Sequence, residues 1–516
     1  MSGEAVIQDA IVSAEMVEPI DVRCAGFLRN DEGNARRLIE RFGRDMLYVD
    51  RVGWYVWDGR RFHADSKVMA AARGKATETV AAIWKEAKAA AEAGHVDGKT
   101  VDPDWLAAHR SFALKSGDYG RISAMLHQAV HKVYLEDVTE LDVNPWLLNV
   151  ENGTLFLGGN KPGIAPEVRL RQHRREDRIS RLAPVRYLPD AKAPVFEAFL
   201  EKVLPDPDVR RFLQVWFGYT LTGDISEQCL VILQGQGQNG KSTIMSCIEH
   251  VLGDYHGQIP IESLLFNERR GGGDASPDLA RLPGIRYATT REPDTNVRLS
   301  ESKVKQATGG EKLLARNLHQ NFFEFLPQFK ITIGLNPRPQ IRAQDDGIWR
   351  RIRLVPFKQK VGKADVGPVK AALEAEGPGI LNWLLEGFRI WADEGLVAPT
   401  VIADEVAQYR QDSDPLEMFI ADCIIINELE VILFRDFSNT FNEWAKINGR
   451  RSYSDQALGT MLNSKPGWEA TKINNGKRAY RGGSIREGWK DAFSRGRSDE
   501  VKIPPAPDDD YGPEGY

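Results

Sequence analysis

The sequence predicts an α/β protein of several domains, organised around a buried sheet that presents a phosphate-binding loop. Three observations carry this. Apolar, β-type runs at residues 230–233, 285–289 and 330–335 alternate with helical stretches. Gly235-Gln-Gly-Gln-Asn-Gly-Lys241-Ser242 follows the first run directly and precedes a plausible helix at 243–251. Finally, 516 residues at about 150 per domain leave room for two to four cores.

The 68 Lys and Arg against 73 Asp and Glu give a net charge of -5, so any polyanion site must be local. The densest apolar stretch, 416–434, is interrupted by Glu417, Asp422, Glu428 and Glu430, which excludes a membrane span. Residues 1–20 lack a basic n-region and an apolar h-region; they are expected to be a flexible N-terminus without a secretory signal, and a cytoplasmic location, in a bacterial host, is expected. Cys24, Cys229, Cys247 and Cys423 are far apart, so buried free thiols are expected rather than a disulfide framework or zinc ribbon.

From 21 to 193 a mixed α+β domain is expected. Residues 34–42 have helical spacing, 47–62 (LYVDRVGWYVWDGRRF) read as a β-meander, and 68–92 as an alanine-rich helix. In 146–157 (WLLNVENGTLFL), Asn-Gly between apolar strands signals a hairpin, because both turn positions need positive φ. Residues 169–181 hold six arginines against Glu176 and Asp177, either a solvated connector or a polyanion contact.

The phosphate-binding domain is expected over 194–362, beginning with helices at 196–203 and 209–222, where Asp206 caps the second. Residues 362–367 break the pattern, 378–394 form an amphipathic helix, and 397–415 read as a linker, so 363–415 is a helical segment and linker. A last domain, 416–490, has a basic stretch: residues 434–497 carry thirteen cations against six anions, an excess of seven. Helices at 434–448 and 454–463 followed by short strands at 468–473 and 478–480 outline a winged helix. The tail, 491–516, is proline-rich and acidic from 504 onwards and is expected to be disordered.

Gly235, Gln236, Gly237, Gln238, Asn239, Gly240, Lys241, Ser242 and Thr243 form the candidate nucleotide loop. Its glycines let backbone N–H groups curl around phosphates, Lys241 reaches the β- and γ-phosphates, and Ser242 ligates Mg²⁺, so ATP and Mg²⁺ are the expected cofactors. Such a loop needs a carboxylate on a neighbouring strand to polarise the attacking water; Glu292 follows the second apolar run, with Asp294 as its competitor. Asn336 ends the third, where it orients the water, senses the γ-phosphate, or merely starts an Asn-Pro turn. Arg350 and Arg351 follow in Gly-Ile-Trp-Arg-Arg-Ile-Arg353; one neutralises transition-state charge, or the segment is an edge strand with outward arginines.

Taken in order, GQGQNGKST, the strand ending in Glu292, KQATGGEKLLAR at 305–316, FKITIGLN and GIWRRIRLVPF resemble the superfamily 3 helicase domain of phage and plasmid primase-helicases, relatives of poxvirus helicases. WYVWDGRRF and LNVENGTLFL are similar to the region preceding that domain, and the basic C-terminal domain to its winged-helix appendix. The resemblance implies a hexameric AAA+ ring that hydrolyses ATP between subunits and draws single-stranded DNA through its pore, acting on forked DNA in replication of a phage, prophage, satellite or plasmid. It assigns Lys241 and Ser242 to phosphate and Mg²⁺, Glu292 to general base and metal support, Asn336 to sensor, and Arg351, with Arg350 as alternative, to a finger acting in trans. Residues 313–325 look like the hairpin that enters the pore, with Lys312, Arg316 and His319 as candidate DNA contacts. Thr290-Arg291-Glu292 departs from the two adjacent acids many relatives carry, so Mg²⁺ is left to Ser242, phosphates and waters. No zinc knuckle, TOPRIM acids or paired primase acids are found, so a separate primase or a loader is a further expected partner. The alternative is a nucleotide-switched DNA-binding initiator or defence factor that does not unwind processively.

Overall fold

Five parallel strands build the central sheet: β1 (Leu230–Gln234), β2 (His256–Gln258), β3 (Tyr287–Thr290), β4 (Lys330–Leu335) and β5 (Ile352–Pro356), in spatial order 2-3-4-1-5. Three of them fall on the expected apolar runs. Continuous Val, Ile and Leu, rather than alternation, mark strands covered on both faces, and every residue of β4 and all but Gln234 of β1 are buried. The short polar edge strand β2, His-Gly-Gln, carries no such signal. β5 is the opposite edge.

The computed structural model describes residues 18–158, 167–265, 277–290, 298–316, 322–341, 346–448, 450, 452–473 and 476–489. It divides into two units, Met1–Pro339 with Arg350–Ile402, and Gln340–Trp349 with Ala403–Tyr516. The expected boundary between 193 and 194 falls inside the first unit. One apolar core there runs from Leu148, Val150 and Leu155 of the hairpin through Trp216 and Val231 to Leu384 and Phe388.

Four helices position the sheet. In α1 (Pro194–Val203) and α2 (Pro207–Tyr219), proline opens the helix where a missing N–H costs nothing. Asp206 caps α2, as expected, by accepting from the backbone N–H groups of Asp208 and Val209 at 2.9 and 3.3 Å. α3 (Lys241–Leu252) follows β1. α4 (Lys363–Glu394) corrects the expectation that 362–367 end a segment and helix begins near 378: it runs through Pro368 and Pro378. Tertiary packing overrides propensity here. A Cβ on Gly387 would come within 1.9 Å of the Gln214 carbonyl, and one on Gly218 within 2.2 Å of the Phe388 nitrogen, so these glycines let α2 and α4 touch backbone to backbone. The expected linker at 397–415 is also mostly helix, Thr400–Ser413, which spans the division between the units.

Buried cations fasten the N-terminal region to this framework. Arg286, just ahead of β3, donates to the carbonyls of Leu147 at 2.6 Å and Asn144 at 3.3 Å, and to that of Leu221. Lys330, at the start of β4, donates to Asp224 O at 3.2 Å and Gln328 O at 3.1 Å, and to Thr222 O. Burial, reinforced by neighbouring Arg286, pushes the Lys330 amine well below the usual lysine range. Asn149, in the Leu147–Val150 strand, receives Thr154 Oγ1 at 3.1 Å and donates to the carbonyls of Arg60 and Arg181, while its backbone N–H donates to Tyr255 Oη at 3.0 Å.

The N-terminal elements lie close to their expected places: helices Asp31–Phe42 and Ala70–Ala93, a meander of Met46–Val49, Gly53–Trp57 and Phe62–Ala64, and the hairpin Leu147–Val150/Gly153–Phe156. Of the 169–181 arginines, Arg171 and Arg181 are half-buried and Arg169, Arg174, Arg175 and Arg178 are exposed. Arg169–Arg171 adds a third strand to the hairpin, Arg171 pairs with Asp177 at 2.7 Å, Arg175 pairs with Asp45, and Arg181 donates to Pro283 O at 2.8 Å. The four cysteines are buried and free.

The second unit contains helix Pro415–Cys423, strand Ile424–Leu433, helices Phe434–Ile447 and Asp455–Asn463, and strands Glu469–Ile473 and Lys477–Ile485. The strands form one antiparallel sheet with Lys477–Ile485 in the middle. Strand Ile424–Leu433 was not expected, and the last strand outruns the expected 478–480 because residues 481–485 pair with it. Residues 1–17 and 490–516, which include nearly all of the expected flexible N-terminus and the whole acidic tail, lie outside the described residues. No helix among the described residues is long and apolar enough to cross a membrane.

The N-terminal helices enclose a charged cluster with a pH consequence. Glu86, fully buried, accepts from Arg37 Nε at 2.8 Å and Arg41 at 2.9 Å, with His109 Nε2 3.4 Å away. Burial alone would raise its carboxyl, but His109, Arg37 and Arg41 outweigh that and hold it below the usual carboxylate range. A depressed folded-state value means the stability is complete above the unfolded-chain value of about 4.3 and is lost as pH falls through the folded value. Glu86→Gln should therefore cost on the order of 3 kcal/mol at pH 7, with the gap to wild type in urea midpoint narrowing as pH falls below the unfolded-chain value of about 4.3. A pH-independent gap would refute the assignment.

Candidate functional site: a nucleotide pocket at the carboxyl ends of the sheet

Ligand sites in open parallel sheets lie beyond the carboxyl ends of the strands. Here Gln234 of β1 pairs with Leu335 of β4, so the residues that follow, Gly235 and Asn336, leave the sheet side by side. Gln238 and Gly237 take φ of 48° and 89°, and Gly240 takes 83° before α3 begins at Lys241. A Cβ on Gly240 would also sit 2.8 Å from Val203 Cγ1. Glycine is thus required there for both backbone conformation and contact with α1. The loop turns the unpaired N–H groups and positive end of α3 toward a cavity of about 900 Å³.

Lys241 is buried at the cavity wall. Its Nζ donates to Gly235 O at 2.7 Å, Asn336 Oδ1 at 3.0 Å and Asn239 Oδ1 at 3.1 Å. The loop lysine and the polar residue that ends the third apolar strand are thus in direct contact. Ser242 is exposed on the cavity wall and Thr243 is buried. A serine hydroxyl at this mouth has the oxygen chemistry Mg²⁺ prefers. Among the described residues no group of three His, Cys, Asp or Glu could hold a metal ion. Glu292 and Asp294 lie outside the described residues; β3 ends at Thr290, one strand beyond β4.

Part of the pocket was not anticipated. Val361, Gly362, Lys363, Val366, Gly367 and Lys370 complete the lining, brought in by the start of α4. Val361 N donates to Gln238 O at 2.6 Å and Phe357 N to Gln234 O at 2.7 Å, binding the segment after β5 to the loop. The 362–367 stretch reads as a breaker in sequence, which hid this contribution.

The arginines are held elsewhere. Leu230 N donates to Arg351 O at 2.8 Å, which fixes the pair at the start of β1, while the loop follows its end. The separation is the length of the strand, roughly 13 Å at about 3.3 Å per residue. Arg351 is 8% exposed and Arg350 is exposed. Of the two arginines expected as candidate fingers, Arg350 is thus the one at the surface. The edge-strand position of β5 is as the bland alternative had it.

The expected hairpin is present, Leu313–Ala315 paired with Phe323–Phe325. Lys312 lies at its base within 3.5 Å of Glu324, and the Arg316 guanidinium stacks over the Phe322 ring at 4.6 Å. His319 lies outside the described residues.

Residues 35–205 match the family described as "D5 N terminal like". The chain is 30% identical over 332 residues to "Putative helicase L207/L206" of Acanthamoeba polyphaga mimivirus, covering 60% of this chain and 34% of the relative. It is 26% identical over 355 residues to "Putative primase C962R" of African swine fever virus, covering 63% and 36%. It thus spans about a third of the length of these curated relatives. The solved A form apo structure of the NrS-1 C terminal region shares 11% identity over 59% of this chain and 78% of its own, with a TM-score of 0.36. A D5 N-terminal-like region at 35–205, in a chain sharing sequence with viral proteins that bear helicase and primase names, is what these similarities establish.

Proposed function

We propose that the chain is an ATP-dependent DNA helicase of the superfamily 3 type, with an AAA+ core that works as a hexameric ring on single-stranded and forked DNA. The observation that carries this is the contact of Lys241 Nζ with Asn336 Oδ1 at the mouth of the pocket. A P-loop lysine and a polar strand-end side chain on one spot can both meet the γ-phosphate of ATP, and Lys241 neutralises charge developing there. Mg²⁺ would be held by Ser242 and would neutralise phosphate charge when bound. Glu292, two residues past the end of β3, is the general base of this proposal. The similarity to proteins with helicase names supports the same reading.

The DNA contacts belong to two places. The Leu313–Ala315/Phe323–Phe325 hairpin carries Lys312 at its base and Arg316 at its opposite end, just after the last paired residue. In the second unit the order helix, strand, helix, helix, hairpin supports a winged helix. Exposed Lys472 and Arg478 face each other across its hairpin, with exposed Lys477 and Arg481 on the same strand. Phosphate contacts of this kind give sequence-independent, salt-sensitive binding. A separate primase or loader is an additional proposed partner.

Lys241→Ala is expected to abolish ATP hydrolysis while leaving the circular dichroism spectrum unchanged. Wild-type protein with ATP should separate a forked duplex. DNA-stimulated hydrolysis without strand separation would instead identify a nucleotide-driven switch, and hydrolysis retained by Lys241→Ala would discard the pocket as the ATP site.

Because Arg350 lies a strand length from its own pocket, it is proposed to complete the pocket of a second copy. Inactive Arg350→Ala and inactive Glu292→Gln chains should partly recover hydrolysis when mixed. Failure to recover in rings verified as mixed by native mass spectrometry would refute the shared site.

A further inference from the structure

Within the loop, Asn239 stands out because its two amide atoms are spent on different elements. It is 4% exposed. Its Oδ1 faces the Lys241 amine at 3.1 Å, and its Nδ2 donates to the Phe357 carbonyl, just past β5, at 3.3 Å. The orientation is fixed by chemistry: the lysine can only donate and the carbonyl can only accept, so a flipped amide would oppose both. Gly235 makes room for this arrangement, since a Cβ there would fall 1.9 Å from Asn239 Nδ2 and 2.5 Å from Phe357 O.

We infer that Asn239 is a positioning residue that braces the Lys241 amine against the end of β5 and so keeps it at the pocket mouth. This inference rests on the ATP-site proposal above. Around the amine, Gly235 O and Asn239 Oδ1 belong to the loop itself, whereas Asn336 Oδ1 belongs to the neighbouring strand end. An arriving γ-phosphate oxygen can replace the Asn336 contact while the two loop contacts hold the amine in place. Without Asn239 the lysine keeps its charge but loses the lateral support that aims it. The loop amides that grip the α- and β-phosphates are untouched by that loss.

The experiment is a comparison of ATP turnover with ADP affinity in the full-length chain. Asn239→Ala should lower kcat about tenfold or more, the order of one hydrogen bond to a charged group, and change the affinity for a fluorescent ADP less than about threefold. Asn239→Leu, which fills the same space without polar atoms, should behave like Asn239→Ala. An ADP affinity that falls as far as kcat would mean that the loop itself has collapsed, and unchanged kcat would mean that the lysine needs no brace; either overturns the inference. Wild-type protein that neither binds ADP nor hydrolyses ATP would instead overturn the ATP-site proposal, a result distinguishable from both.

Discussion

The register between β1 and β4 is the constraint on which the pocket depends. With Gln234 opposite Leu335, Gly235 N donates to Leu335 O at 3.3 Å, and the loop that begins at Gly235 returns Lys241 to the side of Asn336. A slip of one residue would turn every side chain of β4 to the other face. It would carry Thr332 away from Trp216, whose Nε1 donates to its Oγ1 at 2.9 Å, and would replace Asn336 at the strand exit by a leucine or a proline. Burial on both faces resists that slip, and so does the far end of the strand, where Lys330 is anchored.

That far end explains why charged residues open two of the most buried strands. Arg286 N donates to Tyr255 O, Lys330 N to Arg286 O, and the two side chains together donate to the carbonyls of Leu221, Thr222 and Asp224, just beyond the C-terminal end of α2. A buried cation is costly unless its donors are satisfied, and carbonyls at a helix C-terminus carry the partial negative charge that suits it. The same Arg286 reaches Leu147 O, so the N-terminal hairpin is held by the strand that leads toward the pocket. The amino ends of the sheet are thus its structural seam, and the carboxyl ends are left for chemistry.

How much of this can be read from sequence follows from the physics of each signal. β1, β3 and β4 are legible because strands covered on both faces must be apolar throughout, and the loop because close backbone approach to phosphate demands glycine at set spacing. The strand β2 is hidden because three residues at a sheet edge need neither apolar side chains nor length. α4 is hidden because glycine and proline read as breakers in an isolated helix, whereas Gly387 serves close contact with α2 and Gly379 close contact with the backbone at Lys192. Arg286 and Lys330 read as ordinary strand-end charges, since nothing local reveals that their partners lie just past the end of α2, more than 60 residues away. The arginines of 169–181 illustrate a mixed case: Arg171 and Arg181 are half-buried against Asp177 and the Pro283 carbonyl and Arg175 pairs with Asp45, while Arg169, Arg174, Arg175 and Arg178 stay exposed.

The same geometry bears on why the proposed motor would need more than one copy. β5 touches its own pocket at one end, through Phe357 and Val361, and carries Arg350 at the other. A rigid strand cannot fold back on itself, and the flanking hydrogen bonds from β1 fix its register along the whole length. If Arg350 meets a γ-phosphate at all, that phosphate belongs to another chain, while the loop end of the same strand responds to its own. Each β5 would then lie between two nucleotides, one held by its own chain and one by its neighbour. In the proposed ring, that edge strand would be the link between neighbouring nucleotides, and the proposed Asn239 brace would act at its loop end.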